Sequence, residues 1–139
     1  MTLPRMTTPR QGAPRVGVRI WAAATATAGA VTLVRPHAVA RLVSGTGSTP
    51  AAPVVRILGG RQLLQGTAVL IRPAPALVIG ALAVDVLHAT SMVAAALIWP
   101  GYRRAALTSA AAAAASAVAG ALILRGALRA GSVHRQLRR

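Results

Sequence analysis

The sequence contains no cysteine, no lysine and no phenylalanine, and Asp85 is its single acidic residue. Without cysteine the chain forms neither disulfides nor thiolate metal sites nor iron–sulfur clusters. It has one tyrosine and two tryptophans, so it offers almost no aromatic surface on which nucleic-acid bases could stack. These absences exclude thiol redox chemistry. They also argue against a nucleic-acid partner, although the chain is basic.

The residues that are present combine high apolarity with high charge. Hydrophobic residues make up 55% of the 139-residue chain, its mean hydropathy is +0.59, and its formal net charge is +15. These figures conflict in a soluble protein, but they agree in a bilayer, where charges gather at the helix ends and apolar side chains face lipid. A chain of this length has no room for a soluble catalytic domain beside a membrane bundle. The composition therefore predicts an integral membrane protein.

Four apolar runs give this prediction its architecture. Each run reaches the roughly 17–25 residues that a spanning helix needs, and proline and glycine separate them. We therefore predict an all-α integral membrane bundle of about four transmembrane helices, with spans at residues 16–34, 54–71, 76–99 and 105–124. The same reading predicts a disordered basic N-terminal tail at residues 1–15, a loop at residues 37–53 and a basic C-terminal tail at residues 125–139.

The distribution of arginine predicts the orientation. All sixteen basic residues are arginine, which together with abundant alanine is typical of a GC-rich bacterial genome. With four spans, ten arginines fall on the side of the termini and five on the other side. The positive-inside rule then places both termini in the cytoplasm, across a bacterial inner membrane, with the basic tails beside anionic lipid headgroups. A cleaved signal peptide ending near Ala38-Val39-Ala40 is the competing interpretation.

Two charged residues lie inside the predicted spans. Arg61 is near the middle of the second run and Asp85 near the middle of the third. Each is expected to cost about 2.5–3.5 kcal/mol at the centre of a helix. Both lie twelve residues from Pro73, in the turn between the runs. An antiparallel hairpin therefore brings them to the same depth, and we predict that they pair.

The helical neighbourhoods of these residues define an intramembrane polar cluster. On the second helix, Gln62 and Gln65 share an arc with Arg61 and with glycines, while large aliphatic residues cover the opposite arc. On the third helix, His88 shares a face with Asp85. The cluster of Arg61, Gln62, Gln65, Asp85 and His88 has two readings. It can fix the register of the helices, or Asp85 and His88 can carry protons.

Catalytic and cofactor chemistry finds little support in the pattern. Ser91, Ser109 and Ser116 lie within apolar helices, where hydroxyls usually bond back to the backbone. Asp85, His88 and Met92 complete no common metal site. We therefore predict no enzymatic activity, no metal and no cofactor. Trp21, Trp99 and Tyr102 are expected in the headgroup layer because they lie near the ends of the runs.

Short motifs in the two central runs resemble a known family. Leu58-Gly59-Gly60-Arg61, then Gln65-Gly66, and Asp85-Val86-Leu87-His88 in the next run look like the pattern of small four-helix DoxX-like membrane proteins. The resemblance implies a four-helix bundle, and it carries over Arg61 and Asp85 as the matching positions. The group includes proteins tied to quinone-linked sulfur oxidation.

Three functions follow from these patterns. The first is a non-enzymatic accessory or interaction protein, in contact with the lipid bilayer and with other membrane subunits or further copies of itself. The second is a small transporter or proton-conducting protein that uses Asp85 and His88. The third is a membrane redox protein of the DoxX-like type. A polar cavity at the depth of Asp85 would favour the second function.

Overall fold

The computed structural model describes residues 13–136, and describes side chains for residues 16–129. This part of the chain is helical and contains no strand. It forms α1 (Ala13–Val34), α2 (Pro36–Ser44), α3 (Ala52–Ile71), α4 (Pro75–Ile98), a single 3-10 turn (Pro100–Tyr102) and α5 (Arg103–Gln136). The prediction of a helical bundle is confirmed. Residues 1–12 of the predicted N-terminal tail and residues 137–139 of the predicted C-terminal tail lie outside this range.

Proline determines where the helices begin and end. Pro36 and Pro75 are the first residues of α2 and α4, and Pro53 lies in the first turn of α3. Proline suits the first helical turn because its missing N–H would be unpaired there anyway. It also disfavours a helical conformation for the residue before it. As a result α1 ends just before Arg35-Pro36, and α3 ends just before Arg72-Pro73.

The loop predicted at residues 37–53 is partly wrong. Residues 36–44 form α2, whose buried residues are Pro36, Ala40 and Ser44, whereas Arg41 and Leu42 are exposed. The Gly, Ser and Thr composition that suggested a loop is confined to the segment after Ser44. A nine-residue helix is too short to show a clear periodic signal, but its two-faced character is that of a helix lying at an interface.

Three of the five helices are long and apolar enough to cross a membrane. They are Val16–Val34 of α1, Pro75–Ile98 of α4, and the segment Pro100–Arg129 that includes most of α5. Helix α3, which carries Arg56 and Arg61, is not among them. The predicted count of about four spans is therefore supported for three helices. A fourth span would have to be α3, and it is judged below from the packing of α3 against α1.

Side-chain size is distributed as expected for a protein surrounded by lipid. The buried positions are mainly small, including Ala22, Ala81, Ala96, Ala110 and Ala113. Large aliphatic side chains point outward: Leu64 is 74% exposed and Leu97 is 73% exposed. A soluble core would bury these residues. Small residues inside and large ones outside allow close helix packing in a membrane.

The closest helix pairs are α1 with α3 and α4 with α5. Between α1 and α3 the backbones nearly touch: a Cβ atom on Gly59 would lie 2.8 Å from the carbonyl oxygen of Gly29, and one on Gly66 would lie 2.7 Å from that of Ala22. These contacts show α3 running antiparallel beside α1. Sequence neighbours α3 and α4 contact each other much less, so the predicted hairpin is not the main packing unit.

The packed core occupies one half of the bundle. Its buried residues come from the start of α1, the end of α3, the start of α4 and the later part of α5: Val18, Trp21, Ala22, Val69, Val78, Ala81 and Leu124. Trp21 is only 8% exposed, and its Nε1–H donates to the Ser116 carbonyl oxygen at 3.2 Å. The ring fills space between alanine-rich helices, and the headgroup position predicted for Trp21 stays a prediction. Trp99 and Tyr102 are exposed.

Candidate functional site

The predicted Arg61–Asp85 ion pair is present between α3 and α4. Arg61 Nη2 lies 3.6 Å from Asp85 Oδ1, and the two side chains are 27% and 4% exposed. Arg61 Nη1 also donates to the Val84 carbonyl oxygen at 3.3 Å. The guanidinium is thus fixed by a charge and by a backbone acceptor on α4. Counting outward from Pro73 identified this pair because antiparallel helices rise equally per residue.

Gln65 links the pair to the backbone of α4. Its Nε2 donates to Asp85 Oδ1 at 3.2 Å and to the Ala81 carbonyl oxygen at 3.1 Å. One carboxylate oxygen therefore receives both Gln65 and Arg61, while Asp85 Oδ2 is buried and has no hydrogen-bond partner among the described residues. In a bilayer an unpaired oxygen is costly. Arg61 Nε and Nη2 are likewise buried without a hydrogen-bond partner among the described residues, so the cluster keeps unused donors as well as an unused acceptor.

Glycine and polar residues of α3, which the helical wheel put on one arc, contact two different helices. Gly59 and Gly66 face α1, whereas Arg61 and Gln65 face α4. Leu63, an aliphatic residue of the opposite arc, lies with its backbone against Gly29, and its side chain is only partly exposed. Different sides of α3 therefore make different kinds of contact. Glycines make the close contact, and charged and amide groups make the polar one.

His88 is not hydrogen-bonded to the ion pair. Its Nε2 lies 2.9 Å from Ser109 Oγ of α5, and its carbonyl oxygen accepts the Ser91 hydroxyl at 2.8 Å. The expectation of hydroxyl-to-backbone bonds therefore holds for Ser91 and is wrong for Ser109. Residue counting could not have found Ser109, because His88 precedes Gly101 by thirteen residues and Ser109 follows it by eight. The only signal was that a half-buried imidazole needs a polar partner.

A cavity of about 400 Å³ lies beyond the cluster, in the half of the bundle opposite the packed core. All five helices line it, mostly with Ala, Val, Leu and Met side chains. Gln62 of the predicted cluster lines it, and so does Ser109, the hydrogen-bond partner of His88. The cavity was not predicted, because no periodic pattern reports empty space between helices.

The five predicted site residues thus fall into two groups. Arg61, Gln65 and Asp85 form one contact between α3 and α4, while Gln62 and His88 are oriented towards the cavity, His88 through Ser109. Among the described residues no three His, Asp or Glu side chains converge as metal ligands. Comparison with protein-family models, with curated proteins and with solved structures finds no match. The DoxX-like resemblance stays a prediction.

Proposed function

We propose that this chain is a non-enzymatic, four-span membrane protein of a bacterial inner membrane, an accessory or interaction subunit with both termini in the cytoplasm. The observation that supports it is the Arg61–Asp85 contact, whose 3.6 Å ion pair joins the α1–α3 pair to the α4–α5 pair. Such a contact fixes which helices associate, because a lone charge in either pair would be exposed to lipid. The charged side chains of Arg61 and Asp85 therefore serve to hold the two helix pairs together.

The packing of α3 supports a fourth span. Its twenty residues extend about 30 Å, the thickness of the hydrocarbon core. It follows α1 from Leu33 and Gly29 near one end to Ala22 near the other. If α1 crosses the membrane, α3 crosses beside it. The moderate apolarity of α3 is explained by Arg61, Gln62 and Gln65, which face other helices instead of lipid.

A double-mutant cycle tests the structural role of the pair. Arg61→Leu or Asp85→Leu alone leaves one buried charge unpaired and is expected to destabilise the bundle. The loss lies toward the lower end of about 3–5 kcal/mol because Arg61 keeps some exposure. The double variant is expected to lose less than the two single variants together. Thermal unfolding of the purified protein in detergent measures all four proteins, with Arg72→Leu, at an exposed arginine directly after the same helix, as the control.

Additive losses in this cycle would show that the two side chains do not interact, and would reject the proposal. A coupling of about 1 kcal/mol or more supports it, since polar couplings measured in membrane bundles average about 0.6 kcal/mol and reach about 1.7.

Proton conduction is the second candidate, and one observation favours it. Asp85 Oδ2 has no hydrogen-bond partner within the described residues, and His88 reaches the cavity through Ser109. The same proteins, reconstituted into vesicles with a pH-sensitive dye inside, separate the candidates. Under the structural proposal neither the wild type nor Asp85→Asn dissipates an imposed pH gradient. A wild-type flux that Asp85→Asn abolishes would assign conduction instead.

A further inference from the structure

The cavity is built from the ends of the helices that meet at one face of the bundle. Its lining comes from the later part of α1, from α2, from the first half of α3, from the end of α4 and from the start of α5. It runs from Pro50 and Tyr102, next to the connecting segments, inward to Gln62 and Ala112. At 1.5 Å per residue, Gln62 lies about 15 Å along α3 from its first residue. The cavity therefore extends from one end of the bundle inward, and its deep end lies near the middle of the bundle.

The walls of this cavity suit a hydrocarbon chain. Apolar side chains dominate, and the polar groups are few: the amide of Gln62 and the hydroxyls of Thr32, Tyr102, Thr108 and Ser109. Thr32 and Thr108 donate their hydroxyls to carbonyl oxygens of their own helices, Ala28 and Arg104. A volume of about 400 Å³ is within the roughly 300–1,000 Å³ of small-molecule sites.

Arginines are next in sequence to several residues that line the outer part of the cavity. Arg56 follows the lining residue Val55, Arg103 follows Tyr102, and Arg41 follows Ala40, and all three arginines are exposed. Arg104 lies against Gly45 in the segment after α2. No carboxylate is available to neutralise them, because the only acidic residue, Asp85, pairs with Arg61. The outer end is therefore an anion-attracting surface next to an apolar cavity.

We propose that this cavity binds one acyl chain of an anionic membrane phospholipid, whose phosphate contacts the arginines at the outer end. Membrane lipid is the occupant that matches both halves of the site, since it supplies a hydrocarbon chain and a negative headgroup together. Helix α2 covers the chain with Val39, Ala40 and Val43 and exposes Arg41. The inference goes beyond the structural role of the ion pair, which does not require a bound lipid.

Native mass spectrometry of the purified full chain tests this proposal. The protein is incubated with dioleoylphosphatidylglycerol or with dioleoylphosphatidylcholine, which differ in the headgroup and share the same chains. One phosphatidylglycerol is expected to stay bound, about tenfold more than phosphatidylcholine, because two or more arginines contact its phosphate. Failure of the wild type to retain any lipid, or equal retention of the two lipids, overturns the proposal.

Two sets of variants locate the binding. Ala112→Phe puts a ring at the deep end of the cavity and is expected to reduce retention about tenfold, since a filled site has no room for the chain. Ala114→Phe is the control, because Ala114 is exposed on the same helix, as Ala112 is, but does not line the cavity. Equal retention by the two variants, at equal melting temperature, contradicts an acyl chain in this cavity.

The headgroup is tested separately. Arg56→Gln with Arg103→Gln is expected to remove the preference for phosphatidylglycerol, while Arg72→Gln with Arg125→Gln, at the opposite end of the bundle, preserves it. A preference lost in both double variants would mean that net charge alone attracts the lipid, and would reject the assigned site. Neither outcome depends on the Arg61–Asp85 cycle, so the two proposals fail independently.

Discussion

Trp21 is the largest side chain in an interior made mostly of alanine. Its ring lies beside Gly120, where a Cβ atom would come within 3.0 Å of Trp21 Cζ2. Its N–H is shared between the carbonyl oxygen and the hydroxyl of Ser116, the latter at 3.3 Å. A single side chain therefore links α1 to α5 through both packing and a hydrogen bond.

Substitution of this residue separates those two contributions. Trp21→Phe keeps most of the ring but loses the donor, and is expected to cost about 1 kcal/mol. Trp21→Ala also opens a cavity and is expected to cost about 3–5 kcal/mol. Thermal unfolding in detergent measures both. Trp99→Phe, at an exposed position, is expected to leave the melting temperature unchanged, and an equal loss there would contradict the packing role of Trp21.

Single residues differ in how far sequence predicts them. Arg61 and Asp85 could be paired because charge inside an apolar run is rare and depth follows from counting. The burial of Trp21 could not be predicted, because a position near the end of an apolar run suits a ring in the headgroup layer as well as a ring packed between helices. Ser109 was missed because its partner depends on how far α4 and α5 are offset along their axes, which residue counting does not give.

At the scale of helices, the α1–α3 contact depends on three glycines that face a neighbouring backbone, Gly29, Gly59 and Gly66. A Cβ atom on Gly59 would lie 2.6 Å from the Leu33 backbone nitrogen, and backbone atoms cannot move away as a flexible side chain could. A Cβ atom on Gly60, the next residue, would have no neighbouring atom within 4 Å. The two adjacent glycines therefore provide a matched comparison.

We expect Gly59→Ala to separate α1 from α3 and to lower the melting temperature in detergent, by a free energy in the range of about 1–3 kcal/mol typical of overpacked cores. Gly60→Ala is expected to be neutral or stabilising by roughly 0.5–1 kcal/mol, because alanine favours the helix. If both variants unfold at the same temperature, the close contact does not contribute to stability.

The pairing of helices was harder to predict than the helices themselves. Apolar length and proline identified α1, α3, α4 and α5, with α1 beginning three residues before the predicted span. Helix α2 was missed because its nine residues are too few to show a clear periodicity of apolar residues. The association of α1 with α3 followed from Gly29 and Gly59 facing each other, and a sequence shows only that glycines are present, not which helix they contact. Chain neighbours were therefore expected to pair, whereas α3 and α4 contact each other much less than α1 and α3 do.

For the whole molecule, the number of spans determines where the segments between helices lie. With four spans, Thr46 after α2 and Ala74 before α4 are on opposite sides of the membrane. With three spans, α3 does not cross and both lie on one side. Because the chain has no cysteine, single cysteines at Thr46, Ala74 and Ser132 can be labelled without background.

We expect an impermeant maleimide to label Thr46→Cys in intact cells, and to label Ala74→Cys and Ser132→Cys only after the membrane is permeabilised. The reason is that α3 extends beside α1 and that most arginines lie with the termini. Labelling of both Thr46→Cys and Ala74→Cys in intact cells would indicate three spans. Labelling of Ala74→Cys and Ser132→Cys without labelling of Thr46→Cys would reverse the orientation.

The separation of Arg61 from its partner along the chain has a consequence for biosynthesis. Asp85 is made 24 residues after Arg61, about 1–5 s later at roughly 5–20 residues per second. During that interval the nascent chain contains no carboxylate side chain at all, so α3 has a cation and no anion to accompany it. If α3 crosses the membrane, we expect it to be a poor candidate for release from the translocon into lipid until α4 emerges. We then expect the two helices to enter the bilayer together, with Asp85 supplying the counter-charge that Arg61 lacks until then.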